Sequence, residues 1–183
     1  MKFVIDDLEL RWIEKNHYDF VFGRDLTLCF KDPYFVLEGA FEALKPGGYI
    51  EFQNIILPFR CDNGTLRGTA FEKWMDLISE GARRLHRNWH TALGHKAMME
   101  QVGLVDIHET RYQWPIGMWP KDEHLKELGR WVYASLVIQK GIHAISAKVL
   151  TKGMEMASGE VDDLIKQVTQ EIRGCKFYAT IPV

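Results

Sequence analysis

Leu44-Lys45-Pro46-Gly47-Gly48-Tyr49-Ile50-Glu51-Phe52 joins a helix stop to an apolar strand, and its reading decides the fold. Proline lacks the N–H that a helix interior needs and the two glycines let the backbone turn, so the preceding helix has to end here. Before it, Phe35, Leu37, Ala40, Phe41 and Leu44 recur at helical spacing, and Asp32-Pro33 supplies a capping side chain and a first-turn proline. Earlier still, Asp19-Phe20-Val21-Phe22-Gly23 has the composition of a strand. Asp19 to Phe52 is therefore expected to be strand, helix, strand, the unit of a parallel sheet. Its carboxyl ends fall at Gly23-Arg24-Asp25 and at Glu51, Gln53 and Asn54, where open α/β sheets bind ligands.

Outward from this unit, Phe3-Val4-Ile5 reads as a short strand stopping at Asp6-Asp7. Phe71, Trp74, Met75, Ile78, Ala82 and Leu85 mark an amphipathic helix. Thr91 to Gln101 reads as a second helix ending at Gly103, and Leu104 to His108-Glu109 alternates as a half-buried strand. Trp114-Pro115-Ile116-Gly117 and Trp119-Pro120 form an aromatic, proline-rich loop. Asp122 opens a helical region to about Gly153 that Gly141 interrupts, Ser158 is read as the cap of a last helix to Ile172, and Cys175 to Ile181 as a closing strand.

A chain of 183 residues, 46% hydrophobic and 26% charged, can bury a core, and one domain over 1–183 is expected. Within it, 66–102 is read as a lid or substrate-side helical segment and 122–172 as a helical cap. A formal net charge of −2 sets up no field for nucleic acid or an anionic membrane, so small neutral partners fit better. No apolar run approaches a bilayer span, and Met1-Lys2 leads into no signal-peptide core, so a cytoplasmic location is expected. Cys29, Cys61 and Cys175, widely spaced and odd in number, read as reduced and mostly buried thiols.

These stretches together resemble fungal class I S-adenosylmethionine methyltransferases of the LaeA-like kind, common in secondary metabolism. The resemblance rests on Phe3 to Glu9, Tyr18 to Asp25, Leu44 to Gln53 and Trp114 to Asp122, in order and at ordinary spacing. It implies a partial Rossmann-like α/β fold carrying the family's strands 3 to 7 and lacking strands 1 and 2 with their glycine loop. By resemblance, Asp6 and Asp7 would meet the adenine, Leu8 would pack on its ring, and Gly23 and Arg24 would lie near the methionine portion. Gln53 and Asn54 would border the acceptor. The same residues also suit a solvated carboxylate pair, a turn with an Arg-Asp pair, and strand-end caps. Without the glycine loop, methyl transfer by this chain alone is not expected. The strand at Val21-Phe22 would have an open edge, covered either by Phe3 to Ile5 docking beside it or by a homodimer or partner chain.

Other residues leave further readings open. His86, His90 and His95 lie among Arg83, Arg84, Arg87 and Lys96. The four-residue spacing of His86 and His90 could suit a metal on a continuous helix, but no third ligand is evident, so no metal is expected. One histidine could instead serve as general acid or base, with Arg24 and Asp25 as further polar groups. Trp74, Trp89, Trp114 and Trp119 could line a pocket for a polyketide-like or terpenoid-like molecule, or could be core. Two alternatives to methyl transfer follow: a cofactor-independent cyclase that folds its substrate in such a pocket, and a non-catalytic subunit of a larger methyltransferase.

Overall fold

A computed structural model describes residues 3–183. Where a single domain was expected, the chain divides into two compact units interleaved in sequence: residues 3–55 with His90–Thr110, and Ile56–Trp89 with Arg111–Val183. The expected lid, 66–102, is split between them.

The first unit is built on the strand, helix, strand motif. Strand β1 (Tyr18–Arg24) pairs in parallel with β2 (Leu44–Gln53), in register Phe20 with Tyr49 through Arg24 with Gln53. Helix α1 (Pro33–Ala43) joins them. It starts as anticipated, with the Asp32 carboxylate accepting from the Phe35 N–H at 3.0 Å and Pro33 in the first turn, and stops one residue short of Leu44. A 3-10 turn at Thr91–Gly94 leads into α3 (His95–Val102), closed by Gly103 at φ 103°, a conformation that side chains resist. Val36, Leu37, Ala40, Ala43 and Leu44 are its buried apolar residues.

Three sequence expectations fail in this unit. Phe3-Val4-Ile5 is no strand: these side chains are exposed, and no ladder holds them. Three residues without a pairing partner leave their backbone groups to water, so the docking of this segment beside β1 is not what covers the edge. Leu104 to Glu109 is irregular as well, with Asp106 at φ 54° breaking the extended run and Val105 exposed. Among the described residues the strands form two separate two-stranded sheets.

The second unit is helical around an aromatic core. Helix α2 (Ala70–Arg84) is capped by the Thr69 hydroxyl accepting from Glu72 N–H, and the Phe71 N–H is met by the Glu171 carboxylate at 3.0 Å. Strand β3 (Gln113–Pro115) precedes α4 (Glu123–Tyr133), a π turn, α5 (Gly141–Lys148), a second π turn at Val149–Gly153, α6 (Ser158–Arg173) and β4 (Thr180–Pro182). β3 and β4 pair antiparallel, so only the last part of Cys175 to Ile181 is strand. Ser158 is the first helical residue of α6, not its cap; the residue before it, Ala157, donates its N–H to the Glu160 carboxylate at 2.9 Å.

Phe59, Phe71, Trp74 and Phe177 pack ring on ring, with centroids 4.7–6.1 Å apart. Inside this cluster Trp74 donates its indole N–H to Ser146 Oγ at 2.7 Å, and Ser146 donates onward to the Ile142 carbonyl. The buried polar atoms therefore satisfy one another. Gly81 and Gly153 let α2 and the π turn touch backbone to backbone, since a Cβ on Gly153 would sit 2.4 Å from the Gly81 carbonyl oxygen. No helix among the described residues is long and apolar enough to cross a membrane. Cys29 and Cys175 are exposed and Cys61 half-buried, against the expectation of mostly buried thiols, because all three lie outside the helices and strands.

Candidate functional site

The first unit brings its chemistry together at the carboxyl ends of β1 and β2. The chain leaving β1 is stapled to the chain leaving β2 by three hydrogen bonds. Asp25 N–H donates to the Gln53 carbonyl at 3.0 Å, Leu26 N–H to Asn54 Oδ1 at 2.6 Å, and Thr27 Oγ1 to the Ile55 carbonyl at 2.9 Å. Asn54 is buried, so its amide needs partners on both sides. With Oδ1 held by Leu26, the amide NH₂ faces His95 Nδ1 at 3.3 Å.

That orientation settles the imidazole. An amide NH₂ can only donate, so Nδ1 of neutral His95 accepts and the ring proton sits on Nε2. Burial pushes the His95 pKa below its ordinary value, and an amide donor on Nδ1 resists protonation there as well. His95 opens α3 and stands edge-on to Phe52, ring centroids 5.3 Å apart. It lines a narrow, mainly apolar pocket with Leu26, Phe30, Leu37, Phe52, Thr91 and Met98. A neutral ring whose Nδ1 is occupied is not a base at that atom; it offers an N–H to an acceptor oxygen.

The other expected residues are placed as follows. Arg24 and Asp25 form an exposed pair, Nε to carboxylate 4.0 Å, with Asp25 at φ 55° where the chain turns off β1. Gln53 is exposed and donates to the Glu51 carboxylate at 2.6 Å. Asp6 accepts from Asp7 N–H and Asp7 from Glu9 N–H, both within one turn, and the Leu8 carbonyl accepts the Trp12 indole N–H. Gly23 lacks a Cβ for a packing reason, since one would meet Leu26 at 2.6 Å and Phe52 at 3.0 Å. Asp6 and Asp7 each hold a backbone N–H of their own turn through Oδ1, and the space a Cβ on Gly23 would take is filled by Leu26 and Phe52.

His86 and His90 do not share a helix. α2 ends at Arg84, His86 sits at φ 55°, and the two histidines belong to different units. Among the described residues no cluster of His, Cys, Asp and Glu is set to hold a metal. The four tryptophans all belong to the second unit. Trp74 and Trp89 are buried, Trp114 lies on β3, and Trp119 packs against Tyr178 with its indole N–H buried and without an acceptor. None of them lines the His95 pocket. His95 itself was named in the histidine-rich stretch but not singled out, because it lies outside the four-residue spacing of the other two. The available signal was Gly94-His95 at the start of an apolar helical period, a place where the side chain turns toward a neighbouring element.

Cys61 has the second perturbed environment. Burial pushes its thiol up, but hydrogen bonding to the Thr65 side chain and to the backbone at Leu66, Thr65 and Asn63 outweighs it, leaving the pKa below the ordinary thiol value.

No protein-family model matches the chain. It is 28% identical over 172 residues to the methyltransferase pytC of Aspergillus terreus, covering 93% of this chain and 52% of that protein. It is 30% identical over 139 residues to the secondary metabolism regulator LAE1 of Cochliobolus heterostrophus, covering 74% of this chain and 45% of that protein. A solved structure of Haemonchus contortus phosphoethanolamine N-methyltransferase 2, with phosphomonomethylethanolamine and S-adenosylhomocysteine, overlaps 98% of this chain and 35% of that one at 16% identity and a TM-score of 0.48, too slight a likeness to carry an argument. The chain spans about half the length of the relatives it matches.

Proposed function

From a chain that belongs by sequence with the fungal LaeA-like methyltransferases of secondary metabolism, and spans about half their length, we propose a part on the acceptor side of methyl transfer to a small apolar molecule. The observation that carries this reading is the Asn54 clamp. It fixes both strand ends, sets the His95 tautomer and places the imidazole beside a narrow apolar cleft. An acceptor bearing a carbonyl, phenol or ether oxygen would rest at the mouth of this cleft and take a hydrogen bond from His95 Nε2–H. The role of His95 is orientation, since its neutral ring holds its proton on Nε2 and does not abstract one at Nδ1.

S-adenosylmethionine supplies the methyl group in such chemistry. In this proposal the cofactor is held on other chain, whether a second polypeptide or a longer form of this one. The test is titration of the protein with a naphthol, read by the His95 ring resonances. A saturable shift at His95, with the naphthol affinity read from its own fluorescence lowered in His95→Gln, supports the reading. Shifts confined to other histidines, with His95 unmoved, overturn it.

A further inference from the structure

Asn54 serves two groups on opposite sides of its amide. Its Oδ1 accepts the Leu26 N–H at 2.6 Å, and its NH₂ faces His95 Nδ1 at 3.3 Å. The amide carbon carries an oxygen on one side and a nitrogen on the other, so both contacts hold only while Leu26 presents a donor and His95 an acceptor. A neutral imidazole with its proton on Nε2 meets that condition. An imidazolium does not, because both of its nitrogens carry hydrogen. Turning the amide over brings no relief: Oδ1 would then serve His95, while the NH₂ met the Leu26 N–H, donor against donor. One of the two bonds is lost in either orientation, and Asn54 is buried away from water that could replace it.

We propose that this contact is a proton-operated latch: when His95 takes up a proton, the chain leaving β1 at Leu26 is released from the chain leaving β2 at Asn54. Leu26 and His95 both line the apolar cleft, so release loosens one of its walls and gives the cleft two states. The latch rests on the clamp alone and holds whether or not the cleft takes a methyl acceptor. Among the described residues lining the cleft, His95 is the one titratable side chain. The charged and histidine side chains on the elements around it are Arg24, Asp25, Lys31 and Asp32 from the end of β1 to the start of α1, Glu38 and Glu42 on α1, Glu51 on β2, and His90, Lys96 and Glu100 before and on α3. All of these are exposed. Burial is what displaces the titration of His95, so the latch opens below the ordinary imidazole value of about 6.5.

The experiment is amide hydrogen exchange of the full chain from pH 7.5 to 5, read as protection relative to an unstructured chain, with the His95 ring resonances followed alongside. As His95 titrates, protection at Leu26 is expected to fall about tenfold, the contribution of one hydrogen bond to a buried group. The His17 N–H, bonded to the Ala43 carbonyl at the opposite end of β1, is expected to keep its protection. In His95→Gln, protection at Leu26 should not depend on pH. Asn54→Asp supplies an oxygen on both sides and reverses the sign: the carboxylate accepts from Leu26 and from the imidazolium together, so His95 titrates higher and Leu26 stays protected into acid. Protection at Leu26 that is unchanged down to pH 5 overturns the latch. So does a fall of equal size at His17 or in His95→Gln, either of which would mark a general loosening in acid.

Discussion

The two units differ in how far each covers its own apolar surface. The second buries Phe71, Trp74, Phe177, Ile78, Ile142, Leu150 and Val168 completely, and holds its one buried hydroxyl, Ser146, between an indole and a carbonyl. Of its apolar side chains the first buries only Ala, Val and Leu, and it leaves Phe3, Val4, Ile5, Ile13, Phe20, Phe22 and Tyr49 exposed. A core of packed rings supports itself, whereas the aromatic sheet face of the first unit lies in water. The candidate site lies in the less complete unit, at the strand ends where its few buried polar groups meet.

The largest expected effect lies in the saturated core. Trp74→Ala removes a fully buried ring and the donor to Ser146, and should cost about 3–5 kcal/mol of unfolding free energy, measured by urea denaturation with the aromatic signal of the second unit. A loss under about 1 kcal/mol would mean that this core is not packed as described. Next comes the clamp. Asn54→Ala strands the Leu26 N–H and should cost about 1–3 kcal/mol, with amide hydrogen exchange rising at the two strand ends and unchanged in α2 and α6. Exchange rising equally in both units would erase the distinction drawn between them.

The clamp also has a pH signature. The folded pKa of His95 lies below its unfolded value of about 6.5, so the unfolded state binds the proton more readily in that interval. Stability is then fully present above pH 6.5 and falls as the pH drops toward the folded pKa. Comparing denaturation of the wild type and His95→Gln from pH 7.5 to 5 should show a steeper fall in the wild type; parallel curves would remove His95 as the titrating group. The smallest effect is on the open face. Tyr49→Ser should change stability by no more than about 0.5 kcal/mol, because the side chain is already in water. A loss of several times that size would show the face to be covered after all.

How much of this was legible depended on local chemistry. The Asp32-Pro33 start, the Lys45 to Gly48 stop and the Gly103 cap are written in single residues, and β1, α1, β2 and α3 follow from them. Phe3-Val4-Ile5 and Leu104 to Glu109 have strand composition but no partner to pair with, and composition carries no information about partners. The site was legible in half. Asn54 was marked by its place at a strand exit, but its bond to His95 joins residues forty-one apart and has no periodic trace. Of the two readings left open for the tryptophans, Trp74 and Trp89 take the buried one.

The most direct test of the reading of the strand-end site is calorimetric titration of the purified chain with S-adenosylhomocysteine. On the proposal that the cofactor is held by other chain, no saturable heat is expected. Saturable binding in the micromolar range would contradict that reading and show that this chain holds the cofactor by itself.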